Sequence, residues 1–354
     1  MRCADIRLLS ASASIALCLA QGTARAQDNA LPILGASLTA APSAEPVAPA
    51  ADAAPVVALS TRGDAPFIGS SFDLAELGRQ PAPQAPVQGP VDPQPSPQDT
   101  PDARYKSLGS RIGAAKWEAI SLFAYITATQ AYWTGATTSF HFKDEGWFGR
   151  DTKNLGIDKL THAFNAYLFA EFLGARIARK TGDRPAAAFP AAMLSMGLML
   201  YGEMWDGHKE DSGFSVQDVI FNTGGAAFSV LRHTVPGLEE KLDFRLLLMP
   251  NSDIYTFKGK RHYEQQRFLL SLELAGFEGL KTSPLRFAEL QVGYRGKNFT
   301  NAERARGVIP KRDIFFGIGL NVKQLFFRNS RSRLGRAISS GLNYFQLPYT
   351  AVHM

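Results

Sequence analysis

The chain is poor in cysteine, and its cysteines do not fall where a folded domain would use them. Its 354 residues contain only Cys3 and Cys18, both within the first 26 residues. The remainder therefore has no disulfide and no thiolate metal site, and its stability depends on packing. The sequence also lacks G-x-S-x-G, H-E-x-x-H and Walker motifs, which disfavours the common hydrolases and nucleotide-dependent enzymes.

Residues 1–26 are predicted to be a secretory signal peptide. Arg2 and Arg7 give a positive start, residues 8–20 form a short apolar run, and the segment ends in an A-x-A cleavage motif, "ARA". The apolar run is too short to span a bilayer comfortably. We therefore expect export, with a mature chain that begins at Gln27.

Cys18 offers an alternative, acylation as a lipoprotein. A lipobox needs a small residue before the cysteine, whereas this chain has Leu17, so cleavage after Ala26 is favoured. Either route leads to the periplasm or to membrane association in the envelope of a Gram-negative-type bacterium.

Residues 27–103 are dominated by Pro, Ala and Gln and hold nine acids against two arginines. The segment has few large apolar residues, so their burial cannot offset the conformational entropy lost on folding. We therefore expect a disordered tether. The folded part then has two halves of different charge. Residues 104–240 are neutral, whereas residues 241–354 carry 19 basic and 8 acidic residues.

The basic half predicts contact with an anionic membrane surface or an envelope lipid. A generally basic secreted surface is the alternative, and an envelope protein partner is also compatible. Export disfavours nucleic acid as a partner.

Four apolar segments predict helices at residues 112–136, 157–179, 185–205 and 214–235. Only the third approaches spanning length. Two arrangements remain open, a bundle partly buried in a membrane and a compact soluble bundle, and membrane association is favoured.

After Leu242 the apolar period changes from 3.6 to 2. "RFLLSLELAGF", "RFAELQVGYRG", "RDIFFGIGLNV" and "GLNYFQLPYTAV" alternate as antiparallel strands with one buried face. Between the last two, "QLFFRNSRSRLGRAISS" predicts a basic amphipathic helix, which would cover the sheet or, less favoured, contact a membrane. The predicted fold is α+β: an apolar four-helix bundle (104–240) followed by a basic antiparallel sheet (241–354) packed on it, with a short amphipathic helix.

Several segments resemble a known family. "DKLTHAFNAYLFAEF", "GEMWDG" and "GFSVQDVIFNTGGAAFSVL" are similar to the YfiM-type putative periplasmic lipoproteins of unknown function, and more distantly to VanZ-like membrane proteins. "HYEQQRFLLSLELAG" and "GYRGKN" extend the resemblance to about residues 105–350. The resemblance implies a location in the cell envelope, and it does not imply any enzymatic activity.

The same segments concentrate polar residues at helical spacing on three helices. Residues three or four apart share one helix face, so the three pairs are expected to converge. The candidates are Asp158, His162, Glu203, Asp206, Asp218 and Asn222, supported by Lys159 and Ser215. Such a set suits a hard divalent cation, held if at all by His162, Glu203, Asp206 and Asp218, or a proton transfer.

Each candidate also has a structural explanation. Ser215 and Asp218 fit a capping box, and Asp158 lies at a helix start, where an anion is favoured. Glu203 ends an apolar helix, where the helix dipole disfavours an anion, so it needs a cation, a donor or a proton. Four other histidines are weaker candidates, because the sequence gives none of them a partner at a suggestive spacing: His141, His208, His233 and His262.

The sequence therefore favours a non-enzymatic envelope protein with a buried polar cluster, without a cofactor or with a divalent cation. The alternative is a membrane-associated enzyme, with or without a metal ion, that acts on an envelope lipid or cell-wall precursor.

Overall fold

The computed structural model describes residues 103–251, 255, 259–328 and 330–354. The predicted signal peptide (1–26) and nearly all of the predicted tether (27–103) lie outside this part of the chain. The described part is a mixed α and β structure in which helices precede a sheet.

The helical half contains α1 (Leu108–Ala114), α2 (Lys116–Trp133), α3 (Ile157–Thr181), α4 (Arg184–Asp206) and α5 (Val216–Thr234). The last three agree with the predicted helices to within two residues at each end. The first predicted helix is instead divided at Ala115 into α1 and α2 and ends three residues early. As expected, Pro185 lies in the first turn of α4, where its missing N–H has no intrahelical partner to lose.

Helix α3 packs against both α4 and α5, which also contact each other, and α2 packs mainly on α4. One apolar core fills the space between α2, α3 and α4, with Phe169, Leu173 and Leu198 at its centre. A second joins α3 to the sheet, where Phe164 packs against Phe268. The helices thus provide both an internal core and a platform for the strands.

The sheet has six strands: β1 (Leu242–Leu248), β2 (Gln266–Glu273), β3 (Ala288–Lys297), β4 (Lys311–Leu320), β5 (Phe345–Gln346) and β6 (Ala351–His353). Their order is β5-β1-β2-β3-β4-β6. Short helices α6 (Gly259–Gln265), α7 (Asn301–Ala305) and α8 (Arg333–Gly341) lie between strands.

The prediction of a purely antiparallel sheet was wrong at one edge, because β5 runs parallel to β1 and the sheet is mixed. The last predicted strand is also two short strands at opposite edges, β5 and β6. Between them lie Pro348, which has no N–H for a ladder, and Tyr349, whose φ is 64°. Only four residues separate β5 from β6, so the two edges of the curled sheet are brought close together.

The alternation of the strands is as predicted, but much of the apolar side is exposed. We call these exposed side chains the apolar sheet face: Leu270, Leu290, Val292, Ile314, Phe316, Ile318, Leu320 and Val352. The opposite side is buried, and most of its side chains are polar: Asp243, Arg245, Ser271, Glu273, Glu289 and Gln291. Its apolar part is a small cluster of Leu247, Leu269 and Phe315. Beside α3 the apolar side meets the helical half, through residues such as Leu246, Phe268 and Tyr294. The polarity of most of the sheet is therefore inverted relative to that of a water-soluble fold.

Gly225 in α5 sets the distance between α5 and α3. A Cβ at this position would lie 1.8 Å from the backbone oxygen of Ala163, whereas a Cβ at the neighbouring Gly224 would meet nothing within 4 Å. Close packing of α5 on α3 therefore requires glycine at position 225 and not at position 224.

We predict that Gly225→Ala lowers the melting temperature, because the clash is with backbone and overpacking costs about 1–3 kcal/mol. Gly224→Ala is the matched control and should be neutral or stabilising by up to ~1 kcal/mol, since Ala favours a helix over Gly. Thermal denaturation followed by circular dichroism measures both. Equal melting temperatures for the two variants would contradict the close packing.

Candidate functional site

The three central helices bring the six polar candidates into one region. Helix α3 contributes two of them, α4 two and α5 two. Each is at most 8% exposed: Asp158, His162, Glu203, Asp206, Asp218 and Asn222. Because unpaired buried charges are costly, their partners decide what the cluster does.

Lys159 lies at the centre of the cluster and is fully buried. Its ammonium nitrogen lies 2.8 Å from a carboxylate oxygen of Glu145, 3.1 Å from Asp158 and 2.8 Å from Asp218. Lys159 is therefore the cation that compensates this side of the cluster. Glu145 was not a sequence candidate, because it lies in the loop before α3, where no helical spacing relates it to the other acids.

His162 connects α3 to both neighbouring helices. Its Nδ1 lies 3.1 Å from Oε1 of Glu203, and its Nε2 lies 3.9 Å from Oδ2 of Asp218. Burial lowers the pKa of His162, but the carboxylates of Asp218 and Glu203 outweigh burial and raise it to about 10. The ring is thus an imidazolium at neutral pH, and it supplies the cation that Glu203 needs at the end of an apolar helix.

At the start of α5, helix capping and charge pairing are performed by different residues, Ser215 and Asp218. The Ser215 hydroxyl accepts a hydrogen bond from the backbone N–H of Asp218 at 3.2 Å and so caps the helix. The Asp218 carboxylate itself faces Lys159 and His162. Burial would raise the pKa of Asp218, but these two cations hold it below its usual value. Asp218 therefore does more than stabilise the helix start.

Asp206 and Asn222 lie at the edge of the cluster. Asp206 pairs with Lys209, whose ammonium also donates to the side-chain oxygen of Gln130 at 2.6 Å. Burial raises the pKa of Asp206 to about 6, although Lys209 opposes the shift. The Asn222 side-chain nitrogen lies 3.5 Å from Oε1 of Glu203, and its own oxygen has no hydrogen-bond partner among the described residues.

A cavity of about 40 Å³ opens beside His162, Glu203 and Asp206. Its remaining wall is largely apolar and includes Phe169 and Leu198. One water molecule needs roughly 10–15 Å³ of such space, so the cavity has room for a few waters or a hydrated ion. It is too small for a lipid or a glycan.

Two groups of acids and histidine have metal-ligand spacing. The potential ligand atoms of His162, Glu203 and Asp218 lie within 4.8 Å of one another, as do those of Glu145, Asp158 and Asp218. The second group surrounds the Lys159 ammonium, which takes the place that a metal cation would fill. Only the first group is left as a candidate metal site in the described part of the chain.

A second buried ionic network connects α3 and α5 to the sheet, and the sequence did not reveal it. Arg232 lies 3.2 Å from a carboxylate oxygen of Glu171 and 2.5 Å from Asp243. Asp243 lies in turn 2.7 Å from Arg245, which also pairs with Glu273 and Glu289, each at 2.5 Å. This continuous chain of ion pairs joins the helices to the inner side of the sheet.

Burial and charge pairing act in opposite directions on the carboxylates of this network. At Glu289 burial outweighs Arg245 and raises the pKa to about 7. Burial would raise the pKa of Asp243, but Arg245 and Arg232 hold it at about 2. His233, which seemed to lack a partner in sequence, lies 2.7 Å from Glu171 and 3.0 Å from Glu239. A charged residue in an otherwise apolar helix indicates a buried ion pair, and Glu171 and Arg232 are both of this kind. The sequence does not show that they pair with each other, because they lie 61 residues apart.

Residues 144–234 match the model of a family described as predicted periplasmic lipoprotein (DUF2279). The matched region contains every polar candidate and the whole of α3, α4 and α5. The match supports an exported protein located in the periplasm or associated with the envelope. The expected resemblance to this family of unknown function is thus confirmed over residues 144–234, while nothing supports the VanZ-like similarity. No curated protein and no solved structure matches the chain.

We predict that Glu203→Ala destabilises the protein by about 3–5 kcal/mol, because it leaves the buried His162 cation without its closest partner. Glu203→Gln keeps the shape and an acceptor oxygen, so it should cost less. Glu210→Ala removes an exposed acid nearby and should change stability by less than about 0.5 kcal/mol. Denaturant unfolding measures all three. If Glu203→Ala unfolds like Glu210→Ala, Glu203 does not stabilise the cluster.

Proposed function

We propose that this protein is a non-enzymatic envelope component whose outer surface contacts membrane lipid. The observation that carries the proposal is the inverted polarity of much of the sheet. Charged side chains such as Arg232 and Lys159 are buried, while the apolar sheet face is exposed. Water favours the opposite distribution, and a contiguous exposed apolar surface is typical of a membrane or partner contact.

The helices support the same proposal. The exposed side of α4 presents Phe189, Met193, Leu200 and Met204, and α2 exposes Trp117, Ile120 and Phe123. Within the described residues, α4 alone is long and apolar enough to cross a membrane, and 44% of its most apolar 18-residue window is buried. A core helix of a soluble protein meets the same criteria, so we propose lipid contact and not a defined span.

In this proposal the four longest apolar helices act as one bundle, and the buried polar cluster holds them together. Where lipid covers the outer surface of the bundle, removal of apolar side chains from water no longer drives helix association. Van der Waals packing and hydrogen bonds between the helices then stabilise the bundle. The ion pairs of His162 with Glu203 and of Lys159 with Asp218 would fix the relative positions of α3, α4 and α5.

We predict that the protein fractionates with membranes and that salt alone releases it incompletely, because an apolar contact does not weaken with ionic strength. The double variant Ile314→Glu/Ile318→Glu places two charges on the apolar sheet face and should shift protein to the soluble fraction. Extraction of membranes with salt, then with detergent, followed by quantitative immunoblotting, measures the distribution.

The matched control is Ala302→Glu/Ala305→Glu, which adds the same charge at exposed positions of α7. It should fractionate like the parent. Recovery of the parent wholly in the soluble periplasmic fraction at low salt would contradict lipid contact. Release that depends on loss of another envelope protein, with no binding to pure lipid, would assign the apolar sheet face to a protein partner.

One observation favours the alternative, a metal-dependent membrane-associated enzyme. The cluster around His162 holds five carboxylates (Glu145, Asp158, Glu203, Asp206 and Asp218) against three basic groups (Lys159, His162 and Lys209). Either protons or a divalent cation would balance the excess negative charge. Metal analysis of protein purified without chelator separates the two: a stoichiometric divalent cation that is lost in Glu203→Ala favours the enzyme, and its absence favours the structural cluster.

A further inference from the structure

The C-terminal part of the chain has an unusual charge pattern. After Asp313 no acidic residue occurs up to Met354, whereas five basic residues do: Lys323, Arg328, Arg331, Arg333 and Arg336. Four of these five fall within nine residues. Such a cluster of positive charges is expected at a site that binds an anionic surface.

The arginines belong to what we call the arginine segment, the described residues 323–328 and 330–341, which includes a π-helical turn (Lys323–Phe327) and helix α8. The sequence favoured a helix that covers the sheet, and the structure differs. Gly335 is the one buried residue of α8, while Leu334 is 71% exposed and Phe326 is 68% exposed. The apolar side chains of the segment therefore face outward, not onto the strands.

The four arginines are exposed and unpaired with any described acid. Arg328, Arg331, Arg333 and Arg336 all lie at the surface, and no ion pair joins them to a carboxylate of the described residues. Lys323 differs, because its ammonium lies 2.8 Å from Glu273 and is already compensated. The Arg336 guanidinium donates a hydrogen bond to the backbone oxygen of Arg331 at 2.6 Å, which does not neutralise its charge. The four guanidinium groups thus have no counter-charge among the described residues and can meet an external anion.

Helix α8 separates its two kinds of side chain. Leu334 and Ile338 are four residues apart and share one face, whereas Arg333 and Arg336, three apart, share another. An apolar face beside a cationic face is the arrangement of helices that lie in the plane of a membrane interface, with arginines at the level of the headgroups.

We propose that the arginine segment binds the surface of a membrane containing anionic phospholipid. The four arginines would contact lipid phosphates, and Phe326, Leu334 and Ile338 would enter the boundary between headgroups and acyl chains. The proposal rests on the proposed lipid contact and deepens it by naming the lipid class and the element that recognises it. Charge complementarity favours a lipid surface over an apolar protein partner, which would leave the four guanidinium groups uncompensated.

The test uses the full mature protein and sedimentation with vesicles of phosphatidylcholine, with or without phosphatidylglycerol. Binding should be tighter to the anionic vesicles, and added salt should reduce that preference. Each arginine near an anionic surface contributes about fivefold to the affinity. The triple variant Arg331→Gln/Arg333→Gln/Arg336→Gln should therefore bind anionic vesicles on the order of 100-fold more weakly and phosphatidylcholine vesicles unchanged.

The control variant Lys106→Gln/Arg179→Gln/Arg306→Gln removes the same charge from exposed positions elsewhere and should retain the preference. Equal loss in both triple variants would assign the effect to net charge and overturn the assignment to the arginine segment. Equal binding of the parent to both vesicle types would overturn the anionic preference and leave the proposed lipid contact intact. Binding to neither vesicle type would overturn both.

Discussion

The pairing of buried charges is the constraint on which this structure depends. Asp243 contacts both Arg232 of α5 and Arg245 of its own strand, so one carboxylate connects the helical half to the inner side of the sheet. Removing an ion from water costs several kcal/mol, which only close partners offset. The interior can therefore be polar only because its charges are paired, and among the buried ion pairs of the described residues it is Arg232–Asp243 that joins the two halves. The family match ends at residue 234, just before this junction.

A polar interior has a consequence for the exterior. Where Glu289 and Gln291 point inward, the residues that alternate with them, Leu290 and Val292, must point outward. Gly319 contributes to the same arrangement, because a Cβ there would lie 2.6 Å from the Gln291 side chain. The small residues of β4 leave room for buried polar groups opposite them in β3. The exposed apolar sheet face is thus the counterpart of the buried ion pairs, and both favour an apolar environment outside the protein.

Local pattern located the central helices: the apolar period gave α3, α4 and α5 to within two residues. Asp158 and His162, which are four residues apart, both lie near Asp218 in the structure. The sequence could not show which side of the sheet is buried. The alternation of apolar and polar residues assigns side chains to two faces, but it does not show which face lies against the protein interior. It also missed Glu145 and Arg245, because Lys159 for the first and Glu273 and Glu289 for the second come from segments that only the tertiary structure brings together.

The central claim is that the apolar sheet face contacts lipid, and a spin label on that face tests it most directly. Both cysteines precede Gln27, so a mature chain carrying Ile318→Cys can be labelled at one site, with Arg306→Cys as the exposed polar control. In membrane-bound protein, the account predicts that the nitroxide at position 318 collides more often with oxygen, which is enriched in lipid, than with a water-soluble nickel chelate. At position 306 the preference should be reversed. Equal access of the nickel chelate to both positions would contradict the account.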